Sequence, residues 1–127
     1  MATADNTDRA LDVSSLTGRH WLGIVAAVVT AAIHLLLGVR LLPSGLGVSF
    51  VLAGLGFLGA VVLVLVGYRR RAVYVVGIPF TLVQILAWYY LNFVTLGKSF
   101  PADIGALGAV DKLAQVVLLA VLVALLR

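Results

Sequence analysis

The chain has 127 residues, 63% of them hydrophobic and 11% charged, with a net charge of +4 and no cysteine. Ordinary soluble domains carry about 25% charged residues, so this composition argues against a water-soluble core, and the missing cysteines exclude disulfides, thiolate metal sites and cysteine catalysis. The basic residues form no stripe and mostly flank apolar segments, which assigns them to membrane topology and not to nucleic acid.

Residues 1–20 are polar, carrying Asp5, Asp8, Arg9, Asp12 and Arg19. They predict a tail with at most a turn of interfacial helix near residues 11–16. Acidic side chains ahead of the first apolar run, and a run longer than a signal h-region, argue against a cleaved signal peptide. The first span is expected to be retained.

Four apolar runs follow, at residues 21–42, 48–68, 73–94 and 107–126. Each approaches the ~20 residues a helix needs to cross a hydrocarbon core of about 30 Å. In the first run Gly23, Ala27, Ala31, His34 and Gly38 recur at helical spacing and form one narrow stripe. The second run repeats the device with Ser49, Ala53, Gly56, Ala60 and Gly67, including the small-xxx-small pair Gly56 and Ala60. Small residues let helix backbones approach where lipid removes the hydrophobic drive for association. Both stripes are expected to seat helices within one chain, with an oligomer interface as the rival.

The Arg69-Arg70-Arg71 run forms the shortest connection and reads as a topology anchor. The third run carries a polar face of Gly77, Thr81, Gln84, Trp88, Asn92 and Thr95. Hydrocarbon cannot satisfy an amide, so Gln84 and Asn92 are expected to face other helices. Pro79 is placed near the start of this helix, where a missing backbone donor matters least. Trp88, Tyr89 and Tyr90 fit an interfacial aromatic belt, with Trp88 sharing the polar face. The connection over residues 95–106 carries Gly97, Pro101 and Asp103, the last expected in the loop or as an N-cap. In the fourth run Asp111 either sits solvated near the helix N-terminus or is buried and paired, Lys112 is expected to snorkel outward, and Gln115 follows at helical spacing.

Short connections make successive spans antiparallel neighbours, giving an all-α, up-down bundle of four transmembrane helices. With four spans, Arg9, Arg19, Arg69, Arg70, Arg71 and Arg127 lie on one side, and Arg40, Lys98 and Lys112 on the other. The positive-inside rule places both termini in the cytoplasm and the protein in the plasma membrane. His34 and Gln115 fall about eight residues, or about 12 Å, from the outer ends of their helices. A cluster of His34, Gln84, Trp88, Asn92, Asp111 and Gln115 opening outward is therefore expected.

The segments "AAIHLLLG", "GIPFTLVQILAWYYLN" and "GAVDKLAQVVLL" resemble an uncharacterised family of small four-helix membrane proteins from salt-loving archaea. The resemblance covers spans one, three and four, implies the four-helix fold and brings no activity. Small multidrug exporters carry a glutamate in the first span, whereas this chain has no glutamate. The Gly-Arg-rich first helix and phenylalanine boxes of the dual-topology fluoride channels are not found.

Four function classes remain. The first is a non-enzymatic component of the bilayer, packing against itself as a homo-oligomer or within a larger membrane complex. The second is a transporter or proton-linked channel using His34 and Asp111. The third is a haem or quinone binder, in which His34 supplies one axial ligand and a symmetric dimer the second. His20 cannot pair with His34, being about 21 Å away along one helix. An integral membrane enzyme comes last, because no nucleophile-base pair or metal-ligand spacing is present and no cofactor is required. Unrelated sequence halves weaken an inverted-repeat transporter.

Overall fold

A computed structural model of the protein describes residues 11–99 and 105–127. All regular structure among them is helical: α1 (Gly18–Leu41), α2 (Gly45–Leu65), α3 (Arg70–Tyr89, continuing as a π-helix over Tyr90–Thr95) and α4 (Ala106–Leu126). All four are long and apolar enough to cross a membrane. Asp103 and Pro101, expected in the last connection, and the charged residues Asp5, Asp8 and Arg9 lie outside the described residues.

The first three helices begin three residues ahead of their apolar runs, and local capping explains the first two shifts. Thr17 is the N-cap of α1, and its backbone N–H donates to His20 Nδ1 at 3.0 Å, so residues 18–20 belong to the helix and not to the tail. Ser44 caps α2 by accepting from the Gly47 N–H at 3.1 Å. This helix stops at Leu65, short of Tyr68, in a Schellman turn. The Tyr68 N–H donates to Leu63 O and the Gly67 N–H to Val64 O, with Gly67 at φ 71° as that turn requires. Arg69, also left-handed at φ 49°, then turns the chain into α3. Pro79 consequently lies inside α3 and not near its start, where it deprives the Val75 carbonyl of its helical donor.

Pairs of touching residues show that the helices run antiparallel. Ala31 and Leu35 of α1 meet Gly54 of α2, while Gly38 meets Gly47 and Val51. On the other side of α1, Gly23 meets Val121 of α4. Helix α4 in turn meets α3 through Leu122 against Gly77 and Gly108 against Trp88. Helix α1 packs most closely on α2 and then on α4, and α2 and α3 touch least. The core joins Ala26, Ala27 and Ala31 to Phe57, Val61, Tyr74, Leu118 and Leu122.

The α1 stripe of Gly23, Ala27, Ala31, His34 and Gly38 is buried. The stripe expected on α2 is not the one that packs against α1. Its buried line is Gly47, Gly54, Phe57, Val61 and Val64. A Cβ on Gly47 would lie 2.6 Å from the Leu41 carbonyl carbon. Ala53, Gly56 and Ala60 are rotated toward the loose α2–α3 seam, where Gly56 faces the tip of Phe80. Phe57 decides the rotation, because turning it outward would empty the centre of the core.

The arginine run does more than mark one end. Arg70 Nε donates to Val64 O at 2.9 Å, Nη1 to Ser15 Oγ at 2.6 Å and Nη2 to Asp12 O at 2.6 Å. The Asp12 N–H donates to Leu65 O at 2.8 Å. Residues 11–17 are thus tied across the α2–α3 turn as an extended strap with a turn at Ser14–Ser15, in place of a helical turn.

Candidate functional site

Three helices bring one polar chain together in the half of the bundle nearest the α1–α2 turn, here termed the distal half. On α1, Thr30 and His34 are one turn apart and buried, at 0% and 6% exposure. The His34 Nδ1 proton is donated to Thr30 O at 2.8 Å, and the same nitrogen lies 3.5 Å from Asp111 Oδ1 on α4. The Thr30 hydroxyl donates to that same carboxylate oxygen. Lys112 Nζ donates to Asp111 Oδ2 at 2.8 Å and to Gln115 Oε1 at 2.6 Å. Gln115 Nε2 reaches Gln84 Oε1 of α3 at 3.1 Å, and Gln84 Nε2 donates to Phe80 O at 3.1 Å.

The arrangement follows from elementary costs. Asp111 is 5% exposed, and a carboxylate at that burial requires counter-charge and donors. Lys112 supplies the charge and Thr30 a further donor. The ammonium also lies 5.5 Å from the centroid of the Trp88 ring, a cation–π distance. Its stem runs inward, so the expected outward snorkelling of Lys112 is corrected: Asp111, Gln115 and the Trp88 face together outcompete the end of the bundle. Of the two readings of Asp111, the structure displays the buried, paired one.

A cavity of about 490 Å³ opens beside this chain. All four helices contribute walls, including His34 and Leu37 of α1, Phe50 and Ala53 of α2, Gln84, Trp88 and Asn92 of α3, and Asp111 and Lys112 of α4. The His34 ring lies 5.2 Å from that of Phe50 and 5.9 Å from that of Phe57. Its Nε2 has no hydrogen-bond partner among the described residues, which leaves one nitrogen free for a ligand or a proton.

Five of the six residues expected in the cluster line the cavity: His34, Gln84, Trp88, Asn92 and Asp111. Gln115 stands behind them, fully buried, and links α4 to α3. Asn92 lines the wall but stays outside the hydrogen-bonded chain, donating to Trp88 O at 2.8 Å and accepting from Lys98 Nζ at 3.0 Å. Thr30 was not among the expected residues, although its four-residue spacing to His34 was a usable signal. Tyr89 and Tyr90 are exposed on the outer surface of the bundle.

Among the described residues no three His, Cys, Asp or Glu side chains come together. A haem or quinone would have to approach His34 through Nε2, and His20 lies in the opposite half of α1. The chemistry that this site offers is ionic and protic: an imidazole, a carboxylate and an ammonium around one space.

The sequence profile of a family of unknown function (DUF7475) matches residues 7–126. The chain belongs to that family. Its matched region contains all four helices, the cavity and every residue of the polar chain. No curated protein and no solved structure matches it.

Proposed function

We propose that this member of the family is a small multi-pass protein of the plasma membrane that works as a proton-linked channel, not an enzyme, with His34 and Asp111 at its working centre. One observation carries the reading: a buried carboxylate, itself paired, forms the wall of a four-helix cavity of about 490 Å³. Ionisable residues within membrane spans are costly and mark pathways, and a protein that only packs against others needs no such cavity. The charged groups facing His34 are Asp111 and Lys112 of α4. Helix α2 presents the rings of Phe50 and Phe57, and the part of α3 lining the cavity presents only uncharged side chains. The basic asymmetry supports cytoplasmic termini, and with them a cavity in the outer half of the bilayer. The likeness to membrane proteins of salt-loving archaea belongs to the same reading.

The test is proton movement into liposomes containing the purified protein and a trapped pH dye. The wild type should dissipate an imposed pH gradient faster than protein-free liposomes, and Asp111→Asn and His34→Ala should each remove the difference. Wild-type rates equal to those of empty liposomes would overturn the reading.

A second reading, a structural component in a homo-oligomer or larger complex, is favoured by the small part of α2 and α3 buried inside the bundle and by open space around Gly59. Disulfide trapping of Gly59→Cys in native membranes tests it. Absence of a cross-linked dimer counts against a homo-oligomeric contact there.

A further inference from the structure

The opposite half of the bundle holds a second, smaller pocket of about 70 Å³, which the working centre does not use. Its wall is almost entirely apolar, and the polar side chains in it are His20 of α1 and two residues on one face of α3. Tyr74 and Thr81 both line it, at 7% and 0% exposure. Among the described residues neither the Tyr74 Oη nor the Thr81 Oγ1 has a hydrogen-bond partner. A buried hydroxyl without a partner carries its full desolvation cost, and native proteins meet such groups with water. About 10–15 Å³ of such accessible space is enough to hold one water molecule, so the pocket has room for water. His20 forms part of the same wall, its ring 6.3 Å from that of Tyr74.

Phe57 stands between this pocket and the distal cavity. Phe57, 3% exposed, lines the small pocket on one side and faces the His34 ring at 5.9 Å on the other. Its ring meets that of Phe80 edge-on at 5.0 Å. On α3 the two chambers are marked by Thr81 and Gln84, about 4.5 Å apart along the helix axis. The barrier also stands at the α2–α3 seam, the loosest in the bundle, where the tip of the Phe80 ring fills the space left by the missing side chain of Gly56.

We propose that the Tyr74–Thr81 pocket is a water-binding chamber that continues the path from the distal cavity toward the opposite membrane face, and that the Phe57–Phe80 pair is the apolar barrier between them. The path rests on the proton-linked reading of the distal cavity, whereas the water site does not. The site is therefore tested by a measurement that needs no transport. Thr81→Val keeps the volume and removes the hydroxyl. With water bound, the variant should unfold in detergent at a lower temperature than the wild type, and Tyr74→Phe should do the same. An unchanged or raised unfolding temperature in both variants would show dry hydroxyls and overturn the chamber.

The barrier is tested in dye-loaded liposomes with Phe80→Ala, chosen because Phe80 is 37% exposed and its loss leaves the core ring of Phe57 in place. Proton leak should rise several-fold over the wild type, and adding Thr81→Val should reverse most of the rise. Phe57→Leu, which thins the same barrier while keeping an apolar side chain, serves if Phe80→Ala does not fold. A folded variant with wild-type leak would remove the barrier, even if the water site stands.

Discussion

His34 Nδ1 and Asp111 Oδ1 approach to 3.5 Å across the seam between the first and last helices, with the Thr30 hydroxyl donating to the same oxygen. Residues 77 positions apart thereby fix the relative height of α1 and α4, and the carboxylate becomes the shared acceptor of two helices. Removing it strands the Lys112 ammonium among apolar helices. Asp111→Leu should therefore destabilise the fold by about 3–5 kcal/mol, the penalty of breaking a buried pair from one side. The double variant Asp111→Leu, Lys112→Leu should recover much of the loss. Denaturation in mixed micelles decides the matter, and an uncoupled pair would show simple additivity.

A second prediction separates close helix contacts from open surface. Gly47→Ala places a Cβ against the backbone of Leu41 and Leu42, which cannot swing aside, and should cost about 1–3 kcal/mol. Gly59→Ala meets nothing within 4 Å and relieves the entropy of a mid-helix glycine. It should be neutral or stabilising in the same unfolding assay. A reversed order would mean that α2 is rotated from the orientation described.

These two glycines also show where the sequence stopped being informative. The four runs and their antiparallel order followed from length and hydropathy, and helical rise put His34 level with Gln115, whereas the carboxylate that His34 approaches is Asp111, one turn nearer the helix start. The rotation of α2 did not, because Gly, Ala, Val and Leu occupy every face of that helix and no polar residue marks the inside. The inward course of Lys112 depended on Gln115 and Trp88 converging from two helices, a tertiary fact. Helix limits moved because Thr17 and Ser44 set the starts of α1 and α2, and Gly67 the end of α2, through local hydrogen bonds that hydropathy does not register.

The strap gives a third prediction. Arg70 spreads its guanidinium over three acceptors, a geometry that one ammonium cannot copy. Arg70→Lys should thus behave like Arg70→Ala, with faster hydrogen exchange at the Asp12 amide that donates to Leu65 O. Global stability should change little, because the strap is mostly exposed. Retained protection in Arg70→Lys would show that charge alone holds the segment.

Orientation is open to a direct check. Ser44 lies in the α1–α2 turn and Arg71 at the opposite end of the bundle, and both are exposed. In intact cells an impermeant thiol reagent should label Ser44→Cys and spare Arg71→Cys. Labelling of Arg71→Cys alone would invert the topology and put the cavity in the inner half of the membrane.

A proton path through the distal cavity requires water there within the membrane, and the absence of native cysteine allows a test without background. Ala53 lines the cavity, while its neighbour Leu52 points away from the bundle at 63% exposure. A charged thiol reagent needs a thiolate, which forms in water and not in hydrocarbon. With the protein in lipid vesicles, Ala53→Cys should be modified and Leu52→Cys protected. Protection of both would mean a dry cavity and no water path through the distal half, and modification of Leu52→Cys at the rate of Ala53→Cys would equally contradict a water-filled cavity.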